Sequence, residues 1–158
     1  MHWGRLKSRE ARAAYSLVEL VMILVVLAIM WAIAAPRYGN AMSRYRVEAA
    51  ARRIASDFAL ARAQAKQTST NVVVVFDTTN NAYSMNGVQS LDHTSNTYNV
   101  NLSADPYDAT LATVPFTNNQ VTFNAYGGSD QSGQLVVQSG GYQRTITLEA
   151  TSGKATVQ

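Results

Sequence analysis

An apolar run near the N-terminus is the feature that most limits what this chain can fold into. Residues 20–35 include no polar side chain, and Leu17 and Val18 extend the run across a single carboxylate, Glu19. Together these residues approach the ~20 that an α-helix needs to cross the hydrocarbon core of a bilayer. A basic, polar segment, residues 1–14, precedes the run. This order of segments is typical of an export or anchoring signal.

An ordinary secretory signal is one alternative interpretation of this segment. The letters AIAAP at its end imitate the small-residue cleavage site of such signals. However, Pro36 follows Ala35 directly, which is a poor position for cleavage, and the apolar core is longer than secretory signals usually have. We therefore favour a segment that remains part of the working protein.

A helical pattern continues beyond Pro36. Apolar and small residues recur at spacings of three and four from Val47 to Ala65, which is the period of an amphipathic helix. The sequence therefore predicts one helix over residues 15–67, roughly 80 Å long, whose second half, residues 37–67, lies outside a bilayer. Because proline has no amide donor, we expect a kink or short break near residue 36. The Ala-rich stripe of the second half suits packing against a sheet. The basic residues of this half are predicted to form a solvated or inter-subunit face: Arg44, Arg52, Arg53 and Arg62.

Residues 68–158 have the composition of strands and turns. Six segments have β-branched or alternating patterns and are separated by turns rich in Gly, Asn and Ser: NVVVVFD, AYSM, NQVTFNA, GQLVVQS, YQRTITLEA and KATVQ. Residues 86–120 are polar and the least predictable. We predict an α+β fold in which a long N-terminal helix packs on a C-terminal antiparallel β domain, with segments at 1–14, 15–36, 37–67 and 68–158.

The net charge of +3 conceals an uneven distribution. Residues 1–14 contribute +3, residues 37–66 contribute +5, Glu19 contributes −1 and the chain from residue 71 contributes −4. Without the first segment the chain is formally neutral, so its high isoelectric point does not indicate nucleic-acid binding. Stacking on bases also requires Lys and Arg beside the phosphates. Five tyrosines in acidic surroundings are therefore predicted to be core or sheet-face residues: Tyr83, Tyr98, Tyr107, Tyr126 and Tyr142.

Residues that could carry chemistry are few. The chain has no cysteine, which excludes disulfides, thiolate nucleophiles and cysteine metal sites. His2 and His93 have no second histidine at metal-binding spacing. Asp105 and Asp108 lack the alternating oxygen ligands of a calcium loop, and we predict a solvated turn there. We predict no enzyme activity, no cofactor and no metal site.

Glu19 requires an explanation, because a carboxylate costs about 2–3 kcal/mol at the centre of a bilayer and less near its surface. One explanation is that its side chain extends to the lipid head groups. The other is a cationic partner, and none lies within the run. Cleavage just before Tyr15 would create an ammonium group four residues away. The residues alone leave both explanations open.

The N-terminal residues resemble the class III signal of type IV prepilins and type II secretion pseudopilins. That signal has a basic leader, a small residue, an aromatic residue, a Glu four residues later, an apolar stretch and a Pro. Here these are Ala14, Tyr15, Glu19 and Pro36, although the family usually has Gly and Phe at the first two positions. The resemblance implies cleavage between Ala14 and Tyr15 by a prepilin peptidase, N-methylation of Tyr15, a role of Glu19 in subunit assembly and a helix kink at Pro36.

Longer segments are similar to the GspH/FimT branch of that superfamily. RRIASDFALARAQAKQTSTNVVVVFD contains its ARxxA helix end, and VTFNAYGGSDQSGQLVVQSGGYQRTITLEATSGKATV contains its F-N-x-x-G turn and its terminal T/S-G-K/R-x-x-V strand. The resemblance implies a minor pseudopilin, a structural subunit of a type II secretion pseudopilus or type IV pilus. It also implies an inner-membrane anchor with a cytoplasmic leader and a periplasmic β domain, which positive-inside counting alone does not decide.

The implied partners are other pilin or pseudopilin subunits, the prepilin peptidase, the inner membrane and exported cargo. Two alternatives stay open. The first is a DNA-uptake minor pilin of the FimT type, which the −4 charge after residue 71 disfavours. The second is a permanent single-pass membrane protein with a periplasmic binding domain that never assembles.

Overall fold

The computed structural model describes residues 16–88 and 98–158. Its single described helix, α1, is Leu17–Thr68, close to the predicted 15–67. Helical structure continues through Pro36, so the proline does not break the helix, and a bend of its axis there stays a prediction. By their contacts the residues divide into two units, Met1–Tyr38 and Gly39–Gln158, and each is considered by itself below.

Local chemistry explains where α1 begins and ends. The backbone N–H of Glu19 donates to Ser16 Oγ at 3.1 Å, which makes Ser16 the N-terminal cap of the helix. At the other end, Thr68 Oγ1 donates to the carbonyl of Gln64 at 2.8 Å, and Ser69 has a positive φ of 53°. That left-handed residue turns the chain out of the helix and into the first strand.

Two four-stranded antiparallel sheets follow α1 in the described part of the chain, with orders β3-β2-β1-β5 and β4-β6-β7-β8. Six strands coincide with the predicted segments. The others, β3 and β4, lie within residues 86–120, where no strand was predicted, and so does a 3₁₀ turn at Thr117–Asn119. The strands are β1 (Val72–Asp77), β2 (Ala82–Met85), β3 (Tyr98–Asn101), β4 (Thr110–Thr113), β5 (Gln120–Phe123), β6 (Gly133–Ser139), β7 (Tyr142–Leu148) and β8 (Ala155–Val157).

One face of α1 and both sheets share a single core. The predicted helical stripe is confirmed, because six of its members are at most 1% exposed: Val47, Ala51, Ile54, Phe58, Ala61 and Ala65. Phe58 is central to this packing. Its ring centroid lies 6.0 Å from that of Phe76, 6.3 Å from that of Phe116 and 5.7 Å from that of Phe123. Burying such side chains stabilises the domain by roughly 1.5–3 kcal/mol each.

Candidate functional site

The first half of α1 presents an apolar surface that is exposed among the residues that the structure describes. Among residues 17–33 the large apolar side chains are between 46% and 79% exposed. This segment is long and apolar enough to cross a membrane. A folded protein in water rarely exposes a contiguous apolar surface of this size. The segment therefore needs a second environment, which lipid or the helices of other subunits could supply.

Glu19 lies in the first turn of α1. The partial positive charge at a helix N-terminus favours a carboxylate there by roughly 0.3–1 kcal/mol. Ser16, which caps this turn, was missed, although Ser16 and Glu19 have the S-x-x-E spacing of a capping box. The turn stabilises the start of the helix, but this small contribution would not offset the cost of a charge at the centre of a bilayer. Ala14 and Tyr15 lie outside the described residues, so their roles stay predictions.

Two arginines at the start of the second half of α1 contact the β domain. Arg46 Nη1 is 2.6 Å from Asp108 Oδ2, and Arg46 Nη2 is 3.8 Å from Asp105 Oδ1. The Arg44 guanidinium lies 4.6 Å from the centroid of the Tyr142 ring, within the range of a cation–π interaction. The acidic turn predicted to be solvated therefore pairs with the helix, although both carboxylates remain largely exposed.

Glu48 joins α1 to β7 through a second ion pair. One of its oxygens accepts from Arg52 Nε and the other from Arg144 Nε, each at 2.7 Å. The hydrogen bond from Arg144, followed by that from Arg52, holds the pKa of Glu48 below its ordinary value. The cluster is open to solvent, so we assign it a small contribution to stability.

A buried polar cluster links α1 to the first sheet. Asp57 is 4% exposed, and its carboxylate accepts from Tyr83 Oη at 2.5 Å, Tyr98 Oη at 2.7 Å and Arg53 Nε at 3.2 Å. Arg53 Nη2 also donates to Tyr98 Oη at 2.7 Å. Burial, with the hydrogen bond to Asp57, raises the pKa of Tyr98 to about 12. Burial raises the pKa of Tyr83 further.

These raised pKa values predict a loss of stability in alkali. Tyrosine in an unfolded chain ionises near pH 10, whereas Tyr98 and Tyr83 keep their protons to higher pH in the fold. Between about pH 10 and 12 the unfolded state therefore releases protons that the folded state retains, and the free energy of unfolding falls as pH rises. Urea unfolding of a fragment beginning at residue 37, measured across this range, should show that fall.

The matched variants are Tyr98→Phe, which removes a buried hydroxyl, and Tyr126→Phe, which removes an exposed one. Tyr98→Phe should be less stable at pH 8 but should show a shallower decline between pH 10 and 12. A decline as steep as that of Tyr126→Phe would contradict this assignment.

Three sequence motifs that lie far apart in the chain meet at one point. They are the ARxxA helix end at residues 61–65, the F-N-x-x-G turn at residues 123–127 and the S-G-K segment at residues 152–154. Arg62 Nε donates to the carbonyl of Gly127 at 3.1 Å. Gly153 has a φ of +63°, which glycine adopts without strain. A Cβ at this position would also overlap the carbonyl of Gly127, so both the backbone conformation and the close contact favour glycine. The motifs thus hold the end of α1 to two turns of the β domain.

Arginines on α1 therefore act mainly within the subunit. The sequence favoured a solvated or inter-subunit face for Arg44, Arg52, Arg53 and Arg62. Arg53 and Arg62 are instead half-buried and bonded to other parts of the domain. Among the described residues, no group of three or more His, Asp or Glu side chains could hold a metal ion. These polar contacts hold α1 to the sheets and turns of its own subunit.

Comparison with known proteins agrees with this geometry. Residues 50–152, more than half of the chain, match the family model described as type II transport protein GspH. The chain belongs to the GspH family. A search of curated proteins gives no match for this GspH-family chain.

Solved structures show the same fold. The minor pseudopilin EpsH from the type 2 secretion system of Vibrio cholerae has a TM-score of 0.54 and 14% identity, over 72% of this GspH-family chain and 96% of that one. The type IV minor pilin FimU of Pseudomonas aeruginosa has a TM-score of 0.52 and 14% identity, over 73% and 90%. At such identity the likeness concerns the fold. It confirms the predicted pilin-like α+β fold, and with the family model it confirms the predicted superfamily.

Proposed function

We propose that this GspH-family chain is a minor pseudopilin, a structural subunit of a type II secretion pseudopilus or type IV pilus that contributes to protein export. The observation that supports it most is the exposed apolar surface of residues 17–33. The β domain has its own core and does not need this segment for cover. A segment whose large apolar side chains are exposed is suited to contacts with lipid or with other subunits.

In this proposal the apolar surface has two successive environments. Before assembly it lies in the bacterial inner membrane as a single span, with the leader, residues 1–14, in the cytoplasm and the β domain in the periplasm. After cleavage by prepilin peptidase at Ala14–Tyr15, the same surface packs against the helices of other subunits. Helices in lipid and helices in a bundle bury similar side chains, so the transfer has no large hydrophobic barrier. Exported cargo would contact the periplasmic domain.

Processing of the N-terminus tests this proposal directly. Mass spectrometry of the protein from its native host should find a chain that begins at Tyr15 and has an N-methylated amine. Ala14→Leu is the informative variant, because a peptidase that selects small side chains should leave it uncut. An intact Met1 start in cells with an active prepilin peptidase would contradict the proposal and favour the permanently anchored membrane protein.

A DNA-uptake minor pilin is the second candidate within the superfamily, and the charge distribution supports it less. Arg44, Arg46, Arg53 and Arg144 each face an aromatic ring or a carboxylate of their own subunit, which leaves fewer cations for phosphates. We expect a fragment beginning at residue 37 to be soluble and monomeric, since it lacks the apolar segment. It should bind DNA weakly and without sequence preference.

Size-exclusion chromatography and fluorescence anisotropy with a labelled single-stranded oligonucleotide measure these two properties. The anisotropy is recorded at physiological salt, because low salt exaggerates contacts with phosphates. Tight binding under that condition would reverse the ranking of the two pilin candidates.

A further inference from the structure

Tyr126 is the exception among the tyrosines predicted to lie in the core or on a sheet face. Tyr83 and Tyr98 are buried and Tyr107 and Tyr142 are half-buried, as predicted. Tyr126 is instead 93% exposed. The prediction was wrong there because the residue lies in a turn, where no strand alternation directs a side chain inward. An exposed tyrosine on a mobile loop would need no explanation, so the rigidity of this turn matters.

The turn that presents Tyr126 is held by several hydrogen bonds. Asn124 Oδ1 accepts from the backbone N–H of Tyr126 at 3.0 Å and of Gly128 at 3.1 Å. The carbonyl of Asn124 accepts from the N–H of Gly127 at 2.8 Å, and the N–H of Asn124 donates to the carbonyl of Gly128 at 2.9 Å. Arg62 binds the carbonyl of Gly127 from the helix. The backbone on both sides of the exposed ring is therefore hydrogen-bonded within the subunit.

Two cations of α1 lie beside this turn. A Cβ placed on Gly127 would lie 2.8 Å from Lys66 Nζ and 3.2 Å from Arg62 Nε, so both side chains are packed against the turn. Neither forms an ion pair with a carboxylate in residues 16–88 and 98–158. Carboxylates on nearby segments are engaged by neutral donors: Asp130 accepts from the N–H of Thr122, and Glu149 accepts from Ser152 Oγ.

We propose that Tyr126, Lys66 and Arg62 form a docking surface for an acidic segment of a partner protein. The tyrosine ring is the anchor, and the two cations beside the same turn pair with carboxylates of the bound segment. Tyrosine and arginine are the residues most often found at the centre of protein interfaces. A pre-formed turn reduces the entropy lost on binding. This inference concerns the unit Gly39–Gln158 and does not require the apolar segment or the assembly role proposed above.

Charge complementarity favours an acidic protein segment over the other occupants. Nucleic acid is a poorer fit, because one ring and two cations provide neither successive stacking platforms nor a track for several phosphates. A second copy of this chain is also a poorer fit. Its exposed acidic turn already pairs with Arg46, at 2.6 Å from Asp108.

Site-specific photo-crosslinking in the native host tests this surface with the full chain. p-Benzoylphenylalanine replaces Tyr126 or, as a matched control on the same domain, Tyr45, which is 68% exposed. We expect the probe at 126 to crosslink one protein at a peptide that contains Asp or Glu. Adding Lys66→Glu should reduce this yield about tenfold, because like charges facing each other oppose docking. Lys66→Arg should retain it, and the yield at position 45 should not change with either variant.

Charge exchange completes the test. Replacing the acidic residues of the crosslinked peptide by Lys should restore crosslinking to the chain with Lys66→Glu. The proposal is overturned if no crosslink forms, if the crosslinked peptide lacks acidic residues, or if Lys66→Glu leaves the yield unchanged. A nuclease-sensitive adduct or a crosslink to a second copy of this chain would also overturn it. Cleavage before Tyr15 is measured in the same samples, so failure at this surface is distinguishable from failure of the assembly role.

Discussion

Asp57→Ala is expected to lower the free energy of unfolding of the fragment beginning at residue 37 by about 3 kcal/mol. The carboxylate accepts hydrogen bonds from Tyr83, Tyr98 and Arg53, and alanine would leave all three without this acceptor. A buried hydroxyl without a partner costs about 1–3 kcal/mol. Removing one member of a buried ion pair costs about 3–5 kcal/mol. The Arg53 side chain is 36% exposed, so water takes over part of its solvation and the lower figure applies.

Urea unfolding of the fragment beginning at residue 37 measures this loss. Glu48→Ala is the matched control, because Glu48 also lies on α1 and also binds two arginines. Its side chain is 31% exposed, and the expected loss is below about 1 kcal/mol. Asp57→Asn keeps the shape and one acceptor oxygen, so it should fall between Asp57→Ala and the unsubstituted chain. Equal losses for the Asp57→Ala and Glu48→Ala variants would show that burial of this cluster contributes nothing.

The helix and six strands could be predicted because their patterns are local. The buried stripe of α1 repeats every three or four residues, and β1 is a run of valines bounded by polar residues. The strands β3 and β4 could not be predicted, because YNVN and TLAT are four residues each and only about half of each is apolar. Their pairing with β2 and β6 gives them strand structure, and such tertiary context overrides weak propensity. The sequence predicted one antiparallel β domain but not the number of its sheets, and the structure has two.

The polar contacts between α1 and the rest of the domain could not be predicted from local patterns either, because the two partners of each contact lie far apart in the chain. Arg62 and Gly127 are 65 residues apart in the chain, and Asp57 and Tyr98 are 41 apart. Nothing near Arg62 indicates which carbonyl it will reach. Asp57 did carry a signal that could have been found. It lies beside Phe58 on the apolar stripe, four residues after Arg53, and an acid at such a position must find buried donors.

Substitution of Glu19 by a neutral residue is expected to abolish assembly without affecting cleavage before Tyr15. If its carboxylate neutralises the ammonium of Tyr15 within or between subunits, Glu19→Ala should leave cleavage and membrane insertion intact. Insertion could even improve, since a charge leaves the lipid. Entry into the filament, or N-methylation, should fail because the ammonium would be buried without a counter-charge. Crosslinking to partner subunits, alongside secretion or piliation, measures this outcome.

The capping of α1 by Ser16 supplies the control that separates charge from helix stability. Ser16→Ala removes the hydrogen bond to the N–H of Glu19 and should weaken the first turn by about 1 kcal/mol, but it leaves the carboxylate in place, so assembly should persist. Glu19→Gln keeps the shape and polarity without the charge and should fail like Glu19→Ala. Glu19→Asp keeps the charge on a shorter side chain and should retain part of the activity. If the Ala and Gln variants of Glu19 assemble normally, the carboxylate acts only at the membrane surface. If the Ser16→Ala variant fails as they do, the first turn of the helix, rather than its charge, is what assembly requires.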